Sequence, residues 1–386
     1  MKLKEICEYI SDRVAVTAVS EENYISTENM AQNKGGVTRS SSIPTSGAVI
    51  RYKNDDILIS NIRPYFKKIW QADKTGGCSA DVLCIRAKEH IDSTFLYYLL
   101  SQDAFFEYVM MGAKGCKMPR GDKGHIMDWE IDIPEDKSEQ TAIGQCLKVI
   151  DKKIEINRQI NDNLEQQAQT LYKSWFVDFE PFKDGAFKES ECGLIPEGWR
   201  VGSLSDLTEI TMGQSPSGKS YNETGDGMLF YQGRAEFGDR YPSIRLYTTE
   251  PSRIAEQNSV LLSVRAPVGD TNIAYNKCCI GRGLASITAK HGFNSFIFYM
   301  IKSLKDQFDL YNGEGTVFGS INRDSLNSMK VIVPTNEVIN DFEKIVAPLD
   351  FKYKSLFTEN LLLTQQRDTL LPKLMSGELK INEIDC

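Results

Sequence analysis

The stretch IGQCLKVIDKKIEINRQINDNLEQQAQTLYKSW, Ile143 to Trp175, decides how this chain is read. Ile143, Leu147, Ile150, Ile154, Asn157, Asn161, Leu164, Ala168, Leu171 and Trp175 recur at spacings of four and three, and eight of these ten are apolar. That is a heptad seam, the mark of a long helix burying one stripe against another helix. A second seam repeats the spacing: Phe342, Val346, Leu349, Tyr353, Leu356, Asn360, Leu363, Arg367, Leu370 and Leu374, again with eight apolar positions. Proline removes a backbone donor and clashes with the preceding turn, so Pro348 is expected to break this helix near its start and Pro372 to end it. The regular part would then be Leu349 to Leu371.

Outward from the seams, the chain matches itself at an offset near 200 residues. Leu3 and Ile6 correspond to Leu204 and Leu207, Ile57-Leu58-Ile59-Ser60 to Val260-Leu261-Leu262-Ser263, and Arg63 to Arg265. Phe95 and Tyr98 match Phe296 and Tyr299, Gly112 and Gly115 match Gly313 and Gly315, and Ile133-Pro134 matches Val333-Pro334. Asp151/Asp350, Asn161/Asn360 and Gln166/Gln365 carry the register through the seams. A period this long is a duplicated domain and not a solenoid, whose repeats run about 20 to 50 residues. Short apolar runs at Ile57–Ser60 and Val82–Ile85, and the alternation Met127, Trp129, Ile131, Ile133, read as strands. One helix, Ser93 to Met110, interrupts them, with its counterpart at Ser295 to Tyr311.

Two matching seams on one chain allow an intramolecular antiparallel pair. The fold class is therefore α+β: two pseudo-repeated mixed α/β globules separated by an antiparallel pair of long coiled-coil helices. At 1.5 Å per residue, residues 138 to 175 make a rod of roughly 57 Å, longer than one ~34 to 36 Å turn of B-DNA. Equivalent residues of such a pair meet where its pseudo-twofold axis crosses, so Asn161 and Asn360 are expected to face each other and set register.

The 386 residues are 41% hydrophobic and 25% charged, which excludes disordered and collagen-like classes. No stretch approaches the ~18 apolar residues of a bilayer span, and Met1 to Ile10 carries Lys2, Lys4, Glu5 and Glu8, so no membrane association and a cytoplasmic location are expected. Nine cysteines without a C-x-x-C pair, and only three histidines, argue against zinc and disulfides. The net charge of -8 opposes a nucleic-acid partner on average. Locally, Lys34 to Lys74 holds eight cations against three acids, with Tyr52, Tyr65, Phe66 and Trp70 interleaved. That is a phosphate-facing pattern.

Pro196-Glu197-Gly198-Trp199, Leu204-Ser205-Asp206-Leu207 and Met212-Gly213-Gln214-Ser215-Pro216 resemble the opening of a target-recognition domain in the specificity subunit of type I restriction-modification enzymes. Ile133-Pro134, Glu139-Gln140, Ile143, Leu147, Ile150-Asp151 and Ile154, ending in Leu171-Tyr172-Lys173-Ser174-Trp175-Phe176, are similar to the family's conserved helix. Two departures stand out: the chain begins almost at Leu3 without the Pro-x-Gly-Trp lead-in, and Thr335-Asn336-Glu337 replaces Glu-Gln. The resemblance implies target recognition domain 1 at residues 1–135, conserved spacer helix 1 at 136–180, a linker at 181–199, target recognition domain 2 at 200–334 and conserved spacer helix 2 at 335–380. It implies a non-catalytic reader of a split double-stranded DNA target. Two methyltransferase subunits, which carry S-adenosylmethionine and methylate adenine, would dock on the helices, and ATP-dependent restriction subunits could join. No cofactor or metal is expected in this chain.

The residues agree with that implication. The Asn-Pro-Pro-Tyr or Asp-Pro-Pro-Tyr loop of amino-group methylation is absent, Arg63-Pro64-Tyr65-Phe66 being the nearest approach, and His90, His125 and His291 stand alone. Gly213-Gln214-Ser215-Pro216-Ser217-Gly218-Lys219-Ser220 matches the P-loop pattern. A P-loop needs a helix starting at its lysine, and Tyr221 to Gly227 carries two glycines and no apolar periodicity, so a loop is expected there. Arginine and lysine suit phosphates and guanine, asparagine and glutamine suit adenine. The candidate DNA contacts are Arg39, Lys53, Arg63, Lys67, Lys68, Lys114, Lys117, Arg120 and Lys123 in the first globule. In the second they are Gln232, Arg234, Arg240, Arg245, Arg265 and Arg282. Two other readings stay open: a coiled-coil adaptor without DNA specificity, and a P-loop nucleotide-binding protein.

Overall fold

The computed structural model describes residues 1–312 and 319–381. The chain divides into two compact units, Met1–Asn157 with Thr358–Cys386, and Arg158–Phe357. Gly313 and Gly315, the expected copies of Gly112 and Gly115, lie outside the described residues.

In the first unit an antiparallel sheet runs in the order Cys7–Tyr9, Val82–Ala87, Ile57–Ser60, Ile69–Gln71. Strand residues alternate faces, and the core follows: Ile57, Ile59, Leu83 and Ile85 join Leu3, Phe95, Leu99 and Phe106 on one side. Leu58, Val82 and Cys84 face the other way, against Ile25, Tyr52 and Cys78 of a second four-stranded sheet. That is why these runs are apolar without a break. The second unit repeats the plan with Thr208–Met212, Leu284–Ala289, Val260–Ser263 and Thr271–Ile273. In each unit a second sheet contains one parallel pair at the matching place, Tyr24–Ile25 with Gly76–Cys78 and Met228–Tyr231 with Cys278–Ile280. The α+β fold with two repeated mixed domains is thus present.

Both seams form helices, Lys137–Phe176 and Asn336–Met375, and no seam position of either is exposed. In the first unit Ile143 and Leu147 pack with Leu371 and Leu374, Asp151 meets Arg367, and Asn157 meets Asn360. One number rises as the other falls, so the helices are antiparallel there. The second unit repeats this, with Ala168, Tyr172 and Phe176 against Phe342 and Val346. Near that end Tyr172 and Phe176 are more buried than the seam's Leu171 and Trp175. A straight helix turns every 3.6 residues and drifts off a 3.5-residue stripe.

Several expectations are corrected. The second helix runs through Pro348 and Pro372. Pro348 forfeits one backbone bond while Phe342, Val346, Tyr353 and Leu356 stay buried on the other face. Pro372 lies within the last turn, which Ser376 and Gly377 close by donating to Pro372 O and Leu374 O. The single helix expected from Ser93 is two, Ser93–Leu100 and Asp103–Met111. Ser101 Oγ bonds back to Tyr97 O at 2.7 Å, a competitor of helix continuation, and Gln102 is extended. Its counterpart breaks likewise into Asn294–Ser303 and Lys305–Asp309. The alternation from Met127 to Ile133 is no strand: Lys123–Met127 is helical and only Glu130 bridges, to Lys2. The second copy does form a ladder, Arg200–Ser203 with Lys330–Val333. Residues 181–199, read as a linker, carry the hairpin Phe187–Ser190/Gly193–Pro196 and bury Ile195 and Trp199.

Asn360 has a partner one seam position away from the expected one. Asn157 Nδ2 donates to Asn360 Oδ1 at 2.9 Å and to Glu359 at 2.8 Å. Asn161 belongs to the second unit, where it is buried.

Candidate nucleic-acid interface

In the second unit, loops from five places in the sequence are stitched together beyond the ends of the strands. Gly213 N–H donates to Leu284 O and Gln214 N–H to Ile280 O, while Gly281 N–H donates to Tyr231 O at 2.8 Å. Val264 N–H reaches Gly283 O at 2.9 Å and Ala266 N–H reaches Gly319 O at 3.0 Å. The approach requires glycine: a Cβ on Gly213 would lie 2.1 Å from Gly281 O. Exposed around this convergence are Gln214, Gln232, Arg265 and Arg282. Neither Arg265 nor Arg282 has an ion-pair partner among the described residues. Arg234 pairs with Asp270 and Arg245 with Glu236.

Arg240 is a correction. Its side chain is 2% exposed, bonded to Glu165 at 3.0 Å and Asp350 at 2.5 Å, so it cannot reach DNA. Burial opposes its charge, yet Asp350, Tyr299 and Glu165 hold the guanidinium above its ordinary pKa. An arginine in an aromatic-rich run reads alike whether it faces phosphate or a buried carboxylate, so sequence could not separate the two.

The first unit builds the same convergence with different chemistry. Ile10 N–H donates to Cys84 O, Asn61 N–H to Asp81 O, and Arg63 N–H to Pro119 O at 2.8 Å. The last bond makes Arg63 the counterpart of Ala266, so the copy of Arg265 is Ile62, one residue off the sequence match; Ile62 bridges to Arg120 as Arg265 bridges to Ser320. Arg63 and Lys67 flank the short turn Pro64–Phe66, both left-handed at φ 50°. Asn33 and Lys34, also left-handed, donate to Phe66 O and Lys67 O at 2.9 Å. Left-handed non-glycine residues are strained and cluster at functional sites, and four meet here in one basic turn.

This turn gathers Arg63, Lys67 and Lys68 with the loop carrying Lys114, Lys117 and Arg120. Most of the charge is answered internally. Lys67 and Lys34 pair with Asp103 at 2.9 and 3.5 Å, Arg120 with Asp81 at 2.7 Å, and Lys114 with Asp122 at 2.7 Å. Lys68 Nζ donates to Thr27 O at 2.7 Å, and burial with Arg63 nearby pushes its pKa below the ordinary lysine value. Burial likewise lowers Lys34. Lys117 is exposed and unpaired among the described residues, Lys123 lies over the Tyr9 ring at 5.6 Å, and Arg39 pairs with Glu21 at 2.7 Å. Lys53 sits beyond the opposite end of the Ile57–Ser60 strand, beside Arg86 and Lys88, apart from the cluster. Lys34 and the exposed Tyr65 lie in the basic stretch read from the sequence, and Gln214 in the family motif, yet none of the three is among the candidate contacts. The positive-φ backbone that marks Lys34 and the loop contacts that place Gln214 have no single-residue signature.

The P-loop-like run forms one 3₁₀ turn, Gly218–Ser220, followed by the strand Tyr221–Asn222. No helix points its N-terminus at an anion there. Instead Ser215 Oγ accepts from Arg282 N–H at 3.3 Å, at the edge of the convergence. Among the described residues no group of three or more potential metal ligands occurs, and no helix is long and apolar enough to cross a membrane.

The model of the type I restriction modification DNA specificity domain matches residues 1–166 and 196–350, one match for each repeat. The chain belongs to this family. A putative MjaX specificity subunit from Methanocaldococcus jannaschii is 34% identical over 302 residues, covering 76% of this chain and 70% of that protein. The HindI specificity subunit of Haemophilus influenzae is 27% identical over 408 residues, covering 85% and 87%. The crystal structure of a type I restriction-modification S subunit from M. genitalium shares the fold, with a TM-score of 0.60 at 18% identity over 97% of this chain and 95% of that one. This specificity subunit is a DNA-recognition component and not the catalytic one.

Proposed function

We propose that this specificity subunit reads a two-part double-stranded DNA target, one half with each convergence of loops, and directs partner adenine methyltransferase subunits to it. The observation that carries the reading is the duplication itself: loops meet at the same places in both units, presenting arginine and lysine in the first and arginine and glutamine in the second. Arginine and lysine hold phosphates and register the protein on the duplex, while arginine on guanine and glutamine on adenine supply base choice. Arg282, Arg265 and Gln232 are the readers of the second half. Arg63, Lys68 and Lys117 lead in the first. The long helix pair sets the gap between the halves.

The helix pair also offers a docking surface for the two methyltransferase subunits, and those subunits supply S-adenosylmethionine and the reaction. In the first unit a cleft of about 780 Å³ lies along it, lined by Ala142, Cys146, Val149, Leu362, Leu370 and Ile381. Val149 and Leu362 are 67% and 57% exposed there, unusual for residues on a paired helix. ATP-dependent restriction subunits would join the same assembly in the cytoplasm.

Sequencing of methylated adenine in cells with and without the gene tests the reading. Loss of methylation at one two-part motif is the expected result. Unchanged methylation while the gene is expressed contradicts it.

A further inference from the structure

Arg240 stands within the segment from Gln232 to Arg245, and its guanidinium is bonded to both long helices at once. Nη1 reaches Glu165 of Lys137–Phe176 at 3.0 Å and Nη2 reaches Asp350 of Asn336–Met375 at 2.5 Å. The rings of Phe298 and Tyr353 cover it at 4.7 and 4.6 Å. Each carboxylate is held from a second side, Asp350 by the Tyr299 hydroxyl at 2.9 Å and Glu165 by Lys302 at 2.6 Å. The backbone of the segment is fastened too: Arg240 O accepts from Ile273 N–H at 2.8 Å, and Asn272 holds both Gly238 N–H and Gly238 O.

The first unit has the counterparts Tyr98 and Asp151, joined at 2.7 Å, but the arginine there is Arg367, from the second long helix itself. In the described contacts of Asp151 no recognition-loop cation takes part. The second unit therefore differs in having one side chain that fixes a reading loop to two helices. A planar fork with fixed donor directions holds two carboxylates in an arrangement that lysine's compact ammonium does not reproduce. A buried ion triad contributes little to stability compared with apolar side chains of the same volume, so its use lies in selecting a single arrangement.

We propose that Arg240 is a positioning residue: without touching DNA, it sets the Gln232–Arg245 reading segment against the helix pair and so fixes how one half of the target is read. This rests on the two-part reading above. The test uses the full chain with its methyltransferase partners in cells, comparing wild type, Arg240→Lys, and the neutral triple variant Arg240→Met/Glu165→Gln/Asp350→Asn. The triple variant removes the three charges of the triad together and leaves Lys302, whose side chain is 30% exposed, to solvent, and Arg240→Lys keeps the charge while losing the fork, so the pair guards against misfolding of either. Methylated-adenine sequencing should show one half of the motif intact. The other half should become degenerate, or the gap spread by one base pair, with discrimination reduced about tenfold, as expected for losing one charge-assisted anchor. A uniform fall in occupancy at an unchanged motif, a change in both halves, or no change in either variant overturns the role of Arg240. If wild type itself marks no two-part motif, the parent reading fails instead.

Discussion

Replacing Arg265 and Arg282 together by alanine should flatten the salt dependence of DNA binding. Both guanidinium groups are exposed and unpaired among the described residues, so each is available to displace counterions from a phosphate. Each phosphate neutralised contributes about 0.9 to the slope of log affinity against log salt, so the double variant should lose about 1.8 from that slope. Between 50 and 200 mM salt this amounts to about one decade: wild type should weaken roughly tenfold more than the variant over that range. Lys67→Ala is the internal comparison. Lys67 already neutralises Asp103 at 2.9 Å, and removing it leaves that carboxylate with only Lys34 at 3.5 Å. Its effect on the slope should be smaller than that of either arginine, although its effect on affinity at low salt need not be. Fluorescence anisotropy on a labelled duplex bearing the methylated motif, with the full chain assembled with its partner subunits, gives both slopes. An arginine that reads guanine instead lowers preference for the motif over a scrambled duplex without moving the slope. A double variant with the slope and the preference both unchanged would refute the placement of the second interface.

Further outcomes follow from the helix pair and its surroundings. Leu147→Ala, at a fully buried seam position packed with Leu371 and Leu374, should cost about 3 kcal/mol in denaturant unfolding; a loss under about 1 kcal/mol would mean the seam is not packed as described. Asn157→Ala leaves Asn360 Oδ1 without its donor and should cost about 1 to 2 kcal/mol, whereas Asn157→Leu with Asn360→Leu should recover that loss. The Asp122 carboxylate is drawn down to about 2 by Lys114 and by the N–H groups of His125 and Gly124 that it caps. Its folded-state pKa lies below its ordinary one, so its contribution is complete above the ordinary 3.8 and lost as pH falls through about 2. In urea unfolding, the gap between wild type and Asp122→Asn should therefore close on acidification across that window, and a gap independent of pH would contradict the capping geometry.

The two long helices and the duplication were legible because they rest on periodicity. A stripe every three or four residues, and an apolar run such as Ile57–Ser60, are imposed by burial and survive without knowledge of the partner. What escaped was decided by single contacts. Pro348 looked like a break because local propensity takes no account of the buried face opposite it. Ser101 gave no warning that its hydroxyl would end a helix. The interface was half legible: composition picked out Arg63, Lys67 and Lys68, but not that Asp103 answers Lys67 and Thr27 O holds Lys68. Arg240 and Arg282 are the clearest contrast, two arginines in one aromatic-rich stretch, of which one is buried between Glu165 and Asp350 and the other lies open. Only the fold distinguishes them.

The most direct test of the account lengthens the helices. Inserting one heptad into each of Lys137–Phe176 and Asn336–Met375 keeps the seam in phase and adds about 10.5 Å, close to three base pairs of B-DNA at 3.4 Å each. Methylated-adenine sequencing should then find both half-sites unaltered and the gap between them longer by about three base pairs. Altered half-site sequences with the gap unchanged would contradict the claim that the helix pair measures and the globules read.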